Sequence, residues 1–218
     1  MWGKWISCEV PPGDGRERFS DAQRAWSVIG DQPGLVGQVG GWDPDAGRAR
    51  LLGLWEDAEA YGRFMRERHD AVLGASGQDG TFTAIGTAAG AVVLEMPGDA
   101  TGLPRALETA ALLRVADCRL RPGRTAHFLA VQREVWAPGM AAAGGMLGGV
   151  VIRLDPQRYL VTTLWSGPAA HRRYAVERLP ALLERAAIED DLGSLTGHLV
   201  PLEPDWTVLP VRPRRGPR

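Results

Sequence analysis

The chain has 218 residues, of which 44% are hydrophobic and 23% charged, and its formal net charge is −1. This is the composition of an ordinary globular protein, and the near-neutral charge argues against a general nucleic-acid-binding surface. No apolar run approaches the roughly 18 residues that span a bilayer, and the N-terminus lacks the pattern of a secretion signal. We therefore expect a cytoplasmic protein with neither nucleic-acid nor membrane partners.

The first half of the chain predicts the element order β-α-β-β-α-β. Apolar and alternating stretches indicate strands, and apolar side chains at helical spacing indicate helices. The strands are predicted at 1–10, 35–42, 48–56 and 81–95, and the helices at 14–29 and 57–74. Turn-forming residues between the second and third strands make these two a hairpin. The order is that of the ferredoxin-like fold.

The same order recurs after residues 97–109, which are rich in Pro, Gly and Thr and predict a linker. The second set of strands is predicted at 112–120, 147–154, 158–166 and 194–203, and the helices at 123–137 and 168–187. The chain thus divides into domains 1–96 and 110–209. Residues 210–218 form a basic tail, which we expect to be disordered.

The two halves repeat one sequence pattern about 110 residues apart. The matched pairs include Cys8/Cys118, Phe19/Phe128, Gln23/Gln132, Trp26/Trp136 and Trp55/Trp165. Each predicted four-stranded sheet has helices on one face only, so its other apolar face needs a partner. We predict an α+β chain in which two tandem ferredoxin-like domains pair their sheets as an intrachain α/β-barrel. The protein would be a monomeric pseudo-dimer or a homodimer.

The repeat also separates scaffold residues from candidate site residues. A polar residue that both halves keep is expected to serve the fold, whereas one found in a single half is a candidate for function. His69 shares a helix face with Phe64 and Val72, and the second half has Leu179 at the equivalent position. An imidazole among apolar side chains could act as a general base or as an axial haem ligand. The alternative is a partly buried His bonded to a backbone carbonyl.

Two further polar residues are predicted to position a substrate. Gln23 lies in an apolar helix stripe and must find a partner, since an unpaired buried amide is costly. Because Gln132 repeats it, a structural role that ties helix to strand is favoured over a contact with ligand. Lys4, the only lysine, shares a strand face with Ile6. It is either an ion-paired lysine at a strand start or a cation that binds substrate.

Tryptophans are concentrated in the first half, which holds five of the eight. Rigid aromatic walls suit planar ligands, although aromatic side chains also pack cores. The tryptophans that we predict to line a substrate pocket are Trp5, Trp26, Trp42 and Trp55. The two cysteines belong to no Cys/His cluster, so no metal site is predicted.

One segment resembles a known superfamily. In the run Trp55-Glu56-Asp57-Ala58-Glu59-Ala60-Tyr61, with His69 14 residues after the tryptophan, the chain is similar to the dimeric α/β-barrel superfamily, which includes antibiotic-biosynthesis monooxygenases. Phe64 stands where those proteins carry an earlier His. The opening Trp2-Gly3-Lys4-Trp5-Ile6-Ser7-Cys8, together with Gly40-Gly41-Trp42, resembles the uncharacterised bacterial YdbC-like family over residues 1–95. The second half resembles the superfamily only.

The resemblance implies a range of functions, because the superfamily includes cofactor-free oxygenases, haem enzymes, decarboxylases, cyclases and binding proteins. We predict a small metal-free enzyme of bacterial secondary or aromatic metabolism. It would act on a small, largely apolar or aromatic molecule without a cofactor, with His69 as acid/base. The alternatives are a haem-binding protein with His69 as axial ligand, and a non-catalytic ligand-binding or assembly module. In each case the first half is expected to hold the site and the second half to complete the barrel.

Overall fold

The structure is a computed structural model that describes residues 1–211. The strands are β1 Trp2–Glu9, β2 Leu35–Asp43, β3 Arg48–Trp55, β4 Ala84–Pro97, β5 Leu112–Leu120, β6 Met146–Asp155, β7 Arg158–Trp165 and β8 Leu192–Pro201. The α-helices are α1 Asp14–Arg24, α2 Ala58–Glu67, α3 His69–Ser76, α4 Leu103–Thr109, α5 Thr125–Val131, α6 Ala137–Ala141, α7 Pro168–Glu177 and α8 Leu179–Ala186. Short 3-10 turns follow α1, α3, α8 and β8, and a π-helical turn joins α5 to α6.

The strands form one sheet in the order β2-β3-β1-β4-β6-β7-β5-β8. Each half has the ferredoxin-like order, and the pairing of β4 with β6 joins the halves. The segment after β8 forms bridges back to β2, from Leu202 to Gly41 and from Val208 to Gln38. The sheet therefore curls until its last segment meets its first strand. The predicted α+β class and the tandem ferredoxin-like pseudo-dimer are confirmed.

Glycines allow close approach where the two halves meet. A side chain at Gly41 would collide with the backbone oxygen of Pro201, and one at Gly90 would collide with that of Arg153. The inside of the curled sheet is filled by apolar side chains from both halves. They include Trp5, Val39, Leu52, Leu113, Val150 and Leu160. The space enclosed by the curled sheet is therefore a core that both halves share.

Strand register confirms that the halves are equivalent at an offset of 110 residues. Lys4 pairs with Gly53 across β1 and β3, and Arg114 pairs with Thr163 across β5 and β7. An equivalent strand position in the second half is therefore found by adding 110 to its number in the first, whereas the pairs Phe19/Phe128 and Gln23/Gln132 of the first helix differ by 109.

The long helices predicted at 57–74 and 168–187 are each two helices. The first breaks at Arg68, whose φ of −133° lies outside the helical range, and the second breaks at Arg178 with a φ of −120°. In the second half Pro180 lacks the amide hydrogen that a continuous helix would need. As a result His69 is the first residue of α3.

The stretch 97–109, predicted as a linker, is more ordered than expected. Its helix α4 has Pro104 near the start, where the missing amide hydrogen costs nothing. Ala106 and Leu107 are fully buried in the core inside the curled sheet. The reason is that the curled sheet leaves an open end, which this helix covers with apolar side chains.

The C-terminal segment crosses to the first half. Trp206 is buried against Phe19 and Trp42, at ring distances of 5.4 and 5.3 Å. The amide of Val211 donates to the carbonyl of Gly30 at 2.8 Å. From residue 212 onward, the predicted disordered tail at 210–218 lies outside the described residues. Among residues 1–211, no helix has both the length and the apolar character to cross a bilayer.

Candidate ligand cavity

His69, the predicted catalytic residue, lies in an aromatic cluster of the first half. Its ring centroid is 5.6 Å from that of Trp26 and 5.9 Å from that of Phe64. Trp55 stacks on the other side of Phe64 at 4.9 Å. The Nδ1 atom of His69 lies 2.9 Å from the carboxylate of Asp70. The structure therefore brings His69, Trp26 and Trp55 together, and the catalytic role of His69 stays a prediction.

Of the other residues predicted for the same pocket, Lys4 reaches the edge of this cluster through Met65 and Tyr61, whereas Trp5 and Trp42 lie apart from it. Lys4 places its Nζ 3.8 Å from the sulfur of Met65 and 5.3 Å from the ring centre of Tyr61. Trp5 belongs to the core inside the curled sheet. Trp42 packs with Phe19 and Trp206 in a third cluster. The predicted substrate residues thus do not surround one common space.

Gln23 finds its partner in another side chain. Its Oε1 accepts a hydrogen bond of 2.8 Å from Nε2 of Gln78, and both residues are buried. Gln78 begins the 3-10 turn that follows α3. The amide therefore ties α1 to this turn, not to a strand as the sequence analysis expected.

A cavity of about 260 Å³ lies in the second half, between the sheet and the helices. Its floor comes from β5, β7 and β8, and its walls come from α5, the π-helical turn, α6 and α8. Most of the lining is apolar, and the polar exceptions are Arg114 and Gln132. The other lining residues are Ala116, Cys118, Phe128, Trp136, Met140, Val161, Leu179, Leu183, Ile188, Leu192 and Leu195.

Differences in side-chain volume explain why the second half is open at this place. Ala116 on β5 stands where the first half has Ile6 on β1. Ile188 begins the 3-10 turn after α8 at the position of Gln78. Gln78 reaches the amide of Gln23, whereas an isoleucine cannot make that bond. The sequence predicts the site in residues 1–95, but this cavity lies in the other half.

A π-helical turn, Gln132–Trp136, forms one wall of the cavity. The amide of Ala137 donates to the carbonyl of Gln132, five residues back. In the first half the matched residues Gln23 and Trp26 are three positions apart, so the second half carries one extra residue. Such π turns are costly and occur frequently at functional sites. This one presents both Gln132 and Trp136 to the cavity.

The charge in the cavity comes from Arg114, and no acidic residue of the described part of the chain lines it. Burial raises the pKa of the Cys118 thiol to about 12, an effect that Arg114 partly opposes. Burial also lowers the pKa of His171, which packs against Trp165 and Tyr174, to about 4, and Arg114 adds to this shift. At neutral pH Cys118 is therefore a neutral thiol and not a nucleophile.

A buried charged cluster joins the two halves elsewhere. The carboxylate of Asp43 accepts a hydrogen bond from Nε of Arg50 at 3.2 Å and lies 2.9 Å from Nδ1 of His198. Burial lowers the pKa of His198, and the charge of Arg50 lowers it further. Asp43 and Arg50 are seven positions apart, whereas His198 is 155 positions from Asp43, so no local sequence motif connects the three residues. Within the described residues, no group of three or more His, Cys, Asp or Glu is placed to hold a metal ion.

The fold and its layers define the class of the protein as a tandem α/β-barrel, and solved structures share this architecture over nearly the whole chain. A proposed monooxygenase of Lactobacillus acidophilus is 11% identical with a TM-score of 0.71, and the match covers 95% of both chains. A proposed monooxygenase of Fusobacterium nucleatum is 8% identical with a TM-score of 0.71, covering 92% of this chain and 91% of that one. An anthrone oxidase-like protein is 13% identical with a TM-score of 0.63, covering 93% and 91%. At these identities the similarity shows the fold alone.

The first half identifies the family. A family model described as a domain of unknown function, DUF4937, matches residues 3–89. The uncharacterized protein YdbC of Bacillus subtilis strain 168 is 31% identical over 85 residues, which are 38% of this chain and 71% of that protein. The chain belongs to this family through its first half, as the opening residues suggested. The cavity lies in the half that these matches do not reach.

Proposed function

We propose that the protein binds a small, largely apolar molecule in the cavity of its second half. The observation that carries this proposal is the cavity of about 260 Å³, with apolar walls and two polar side chains. Ligand sites typically combine apolar walls with a few placed polar groups. A dry cavity of roughly 150 Å³ holds benzene, so this one admits a larger ring system. The π turn that shapes it supports the proposal.

We further propose that the protein acts on this molecule as a metal-free oxygenase-, cyclase- or decarboxylase-like enzyme. The support is the architecture that it shares with proteins described as monooxygenase- and oxidase-like. Arg114 is the residue that could stabilise negative charge as it develops on a bound substrate. His69 would serve a separate site in the first half. Arg114→Met and His69→Ala therefore distinguish the two locations.

The binding proposal is tested by making the second half resemble the first. The variant Ala116→Ile with Ile188→Gln introduces side chains that the equivalent positions already carry. We expect it to fold and to lose ligand. The ligand is sought by mass spectrometry of freshly purified protein, and binding is followed by calorimetry with 1-naphthalenemethanol as a neutral bicyclic probe. The control is Ile6→Val in the first half, which leaves the cavity unchanged. Full binding by the closed variant contradicts the proposal.

The catalytic proposal is tested with the molecule that travels with the protein. Conversion of this compound is followed by mass spectrometry in air. Loss of conversion in Arg114→Met supports a reaction in the cavity. Loss in His69→Ala alone assigns the reaction to the first half. No conversion by the unaltered protein leaves a binding protein, which is the non-catalytic alternative of the sequence analysis.

Haem is the cofactor that the resemblance leaves open, and the residues present do not fit it. An axial ligand must present a ring nitrogen to an open space. In His69 the Nδ1 atom is bonded to Asp70, so Nε2 would have to bind the iron, but the ring that carries it packs against Trp26 and Phe64. The lining of the second-half cavity includes no histidine. We expect no sharp Soret band in haem-titrated protein, and a band that His69→Ala removes would reverse this conclusion.

A further inference from the structure

We infer that the ligand of the cavity is a small aromatic or alicyclic acid whose carboxylate binds to Arg114. This inference rests on the proposed function, since it names the class of molecule that the cavity takes. It is carried by the charge of the cavity, by its unsatisfied hydrogen-bond donors and by the comparison of the two halves.

Arg114 gives the cavity a positive charge. Arg114 lies on β5 opposite Thr163 and lines the cavity. Among residues 1–211, no carboxylate lies within ion-pair distance of it. Asp191, at the other end of β5, is engaged with Arg124 and His127. A cation beside apolar walls loses hydration, and a bound anion offsets that loss. The positive charge of Arg114 in the cavity is therefore one that the carboxylate of a bound ligand would neutralise.

Gln132 and Trp136 place hydrogen-bond donors in the wall of the cavity. Gln132 is 4% exposed and lines the cavity, and no side-chain or backbone group of the described residues bonds to its amide. On the same wall, the Nε1 atom of Trp136 is buried without an acceptor. Buried donors are almost always paired in folded proteins. Together with the guanidinium of Arg114 these groups offer N–H donors, and a carboxylate offers only acceptors.

The first half keeps the same pair of residue types. In the first half Lys4 occupies the position equivalent to Arg114, and Gln23 occupies the position equivalent to Gln132. The amide oxygen of Gln23 accepts a hydrogen bond from Gln78 at 2.8 Å. The amide nitrogen of Gln23 and the Nε1 atom of Trp26 are buried without an acceptor, like Nε1 of Trp136. In the second half Ile188 leaves the amide of Gln132 without such a partner. The repeat thus retains one cation and one amide in each half, and in the second half the two residues line an apolar cavity that a ligand can enter.

The test compares two ligands of matched shape that differ in charge, 1-naphthoate and 1-naphthamide, by calorimetry on the full chain at pH 7. We expect the acid to bind about tenfold to a hundredfold more tightly, because hydrogen bonds to charged groups are the stronger ones. In Arg114→Met this preference should vanish while the amide retains its affinity. The matched control is Lys4→Met in the first half, which should keep the full preference.

The possible outcomes separate this inference from the proposed function. Equal binding of acid and amide to the unaltered protein overturns the anionic ligand and leaves the cavity as an apolar site. A preference that survives in Arg114→Met, or is lost in Lys4→Met, also overturns the inference. Binding of neither probe overturns both proposals. If both probes bind but Ala116→Ile with Ile188→Gln retains them, the binding site is not this cavity.

Discussion

The carboxylate of Asp43 lies 2.9 Å from Nδ1 of His198, although 155 positions separate the two residues in the chain. Asp43 is 1% exposed, and it also accepts a hydrogen bond from the buried guanidinium of Arg50. The strand registers of the two halves show that Leu160 occupies the position equivalent to Arg50, and that Ala88 occupies the position equivalent to His198. The fold can therefore place apolar side chains at these positions, and the ionic cluster is specific to one end of the sheet.

Removing Asp43 should destabilise the protein strongly. The variant Asp43→Asn leaves Arg50 buried without its counter-ion, and loss of one partner from a buried pair typically costs about 3–5 kcal/mol. The measurement is the free energy of unfolding in urea at pH 7. The control is Asp70→Asn, whose side chain is 95% exposed; an exposed pair of this kind contributes roughly 0–1 kcal/mol. Equal stabilities of the two variants would show that the cluster is already hydrated.

Stability should fall as the pH drops from about 6.5 toward 4, and His171 should cause part of that fall. Burial, aided by Arg114, lowers the pKa of His171 to about 4 in the folded protein, whereas an unfolded His titrates near about 6.5. Between these values the unfolded chain binds more protons, so the free energy of unfolding decreases with falling pH. His198, whose pKa is also lowered, acts in the same direction.

The check is urea denaturation of the unaltered protein and of His171→Gln at several pH values between 7 and 4. The variant should lose less stability over this range. Nuclear magnetic resonance titration gives the imidazole pKa directly. An ordinary pKa for His171, with identical pH dependence of the two proteins, contradicts the prediction.

The fold was accessible from the sequence, whereas the position of the cavity was not. Repeated strand and helix patterns carry the architecture, because matched pairs such as Trp55 and Trp165 recur at a constant offset. The cavity depends on the small side chain of Ala116, which stands where the first half has the larger Ile6. Because the comparison of the two halves considers polar residues, it selects His69 and does not register the change from Ile6 to Ala116. The longer spacing from Gln132 to Trp136 was visible in the sequence, but its effect on backbone geometry was not.

The hydrogen bond between Gln23 and Gln78 should stabilise the first half without contributing to ligand binding. In Gln78→Leu the buried amide of Gln23 loses its partner, and leaving such a group unsatisfied costs about 1–3 kcal/mol. The double variant Gln23→Leu with Gln78→Leu should recover much of the loss. A double-mutant cycle of urea unfolding measures the coupling. Additive effects of the two single variants would mean that the bond contributes nothing.

Shortening the π turn should separate folding from ligand binding. Deletion of Glu134, which is exposed on that turn, restores the spacing that the first half uses between Gln23 and Trp26. Because the first half folds with this shorter connection, we expect the thermal unfolding midpoint to stay the same or rise. The position of Gln132 relative to Trp136 changes, so 1-naphthoate affinity should fall at least about tenfold, the effect expected for losing one hydrogen bond to a charged group.

The matched control inserts one alanine after Arg24, at the corresponding place in the first half. This insertion lengthens the connection from Gln23 to Trp26 and leaves the second-half cavity intact, so naphthoate should bind as before. Both variants are compared by circular dichroism and calorimetry. A deletion variant that folds and binds normally would show that the π turn is tolerated in the second half without shaping the site. A deletion variant that fails to fold would show that the second half needs the extra residue for folding, although the first half folds without one.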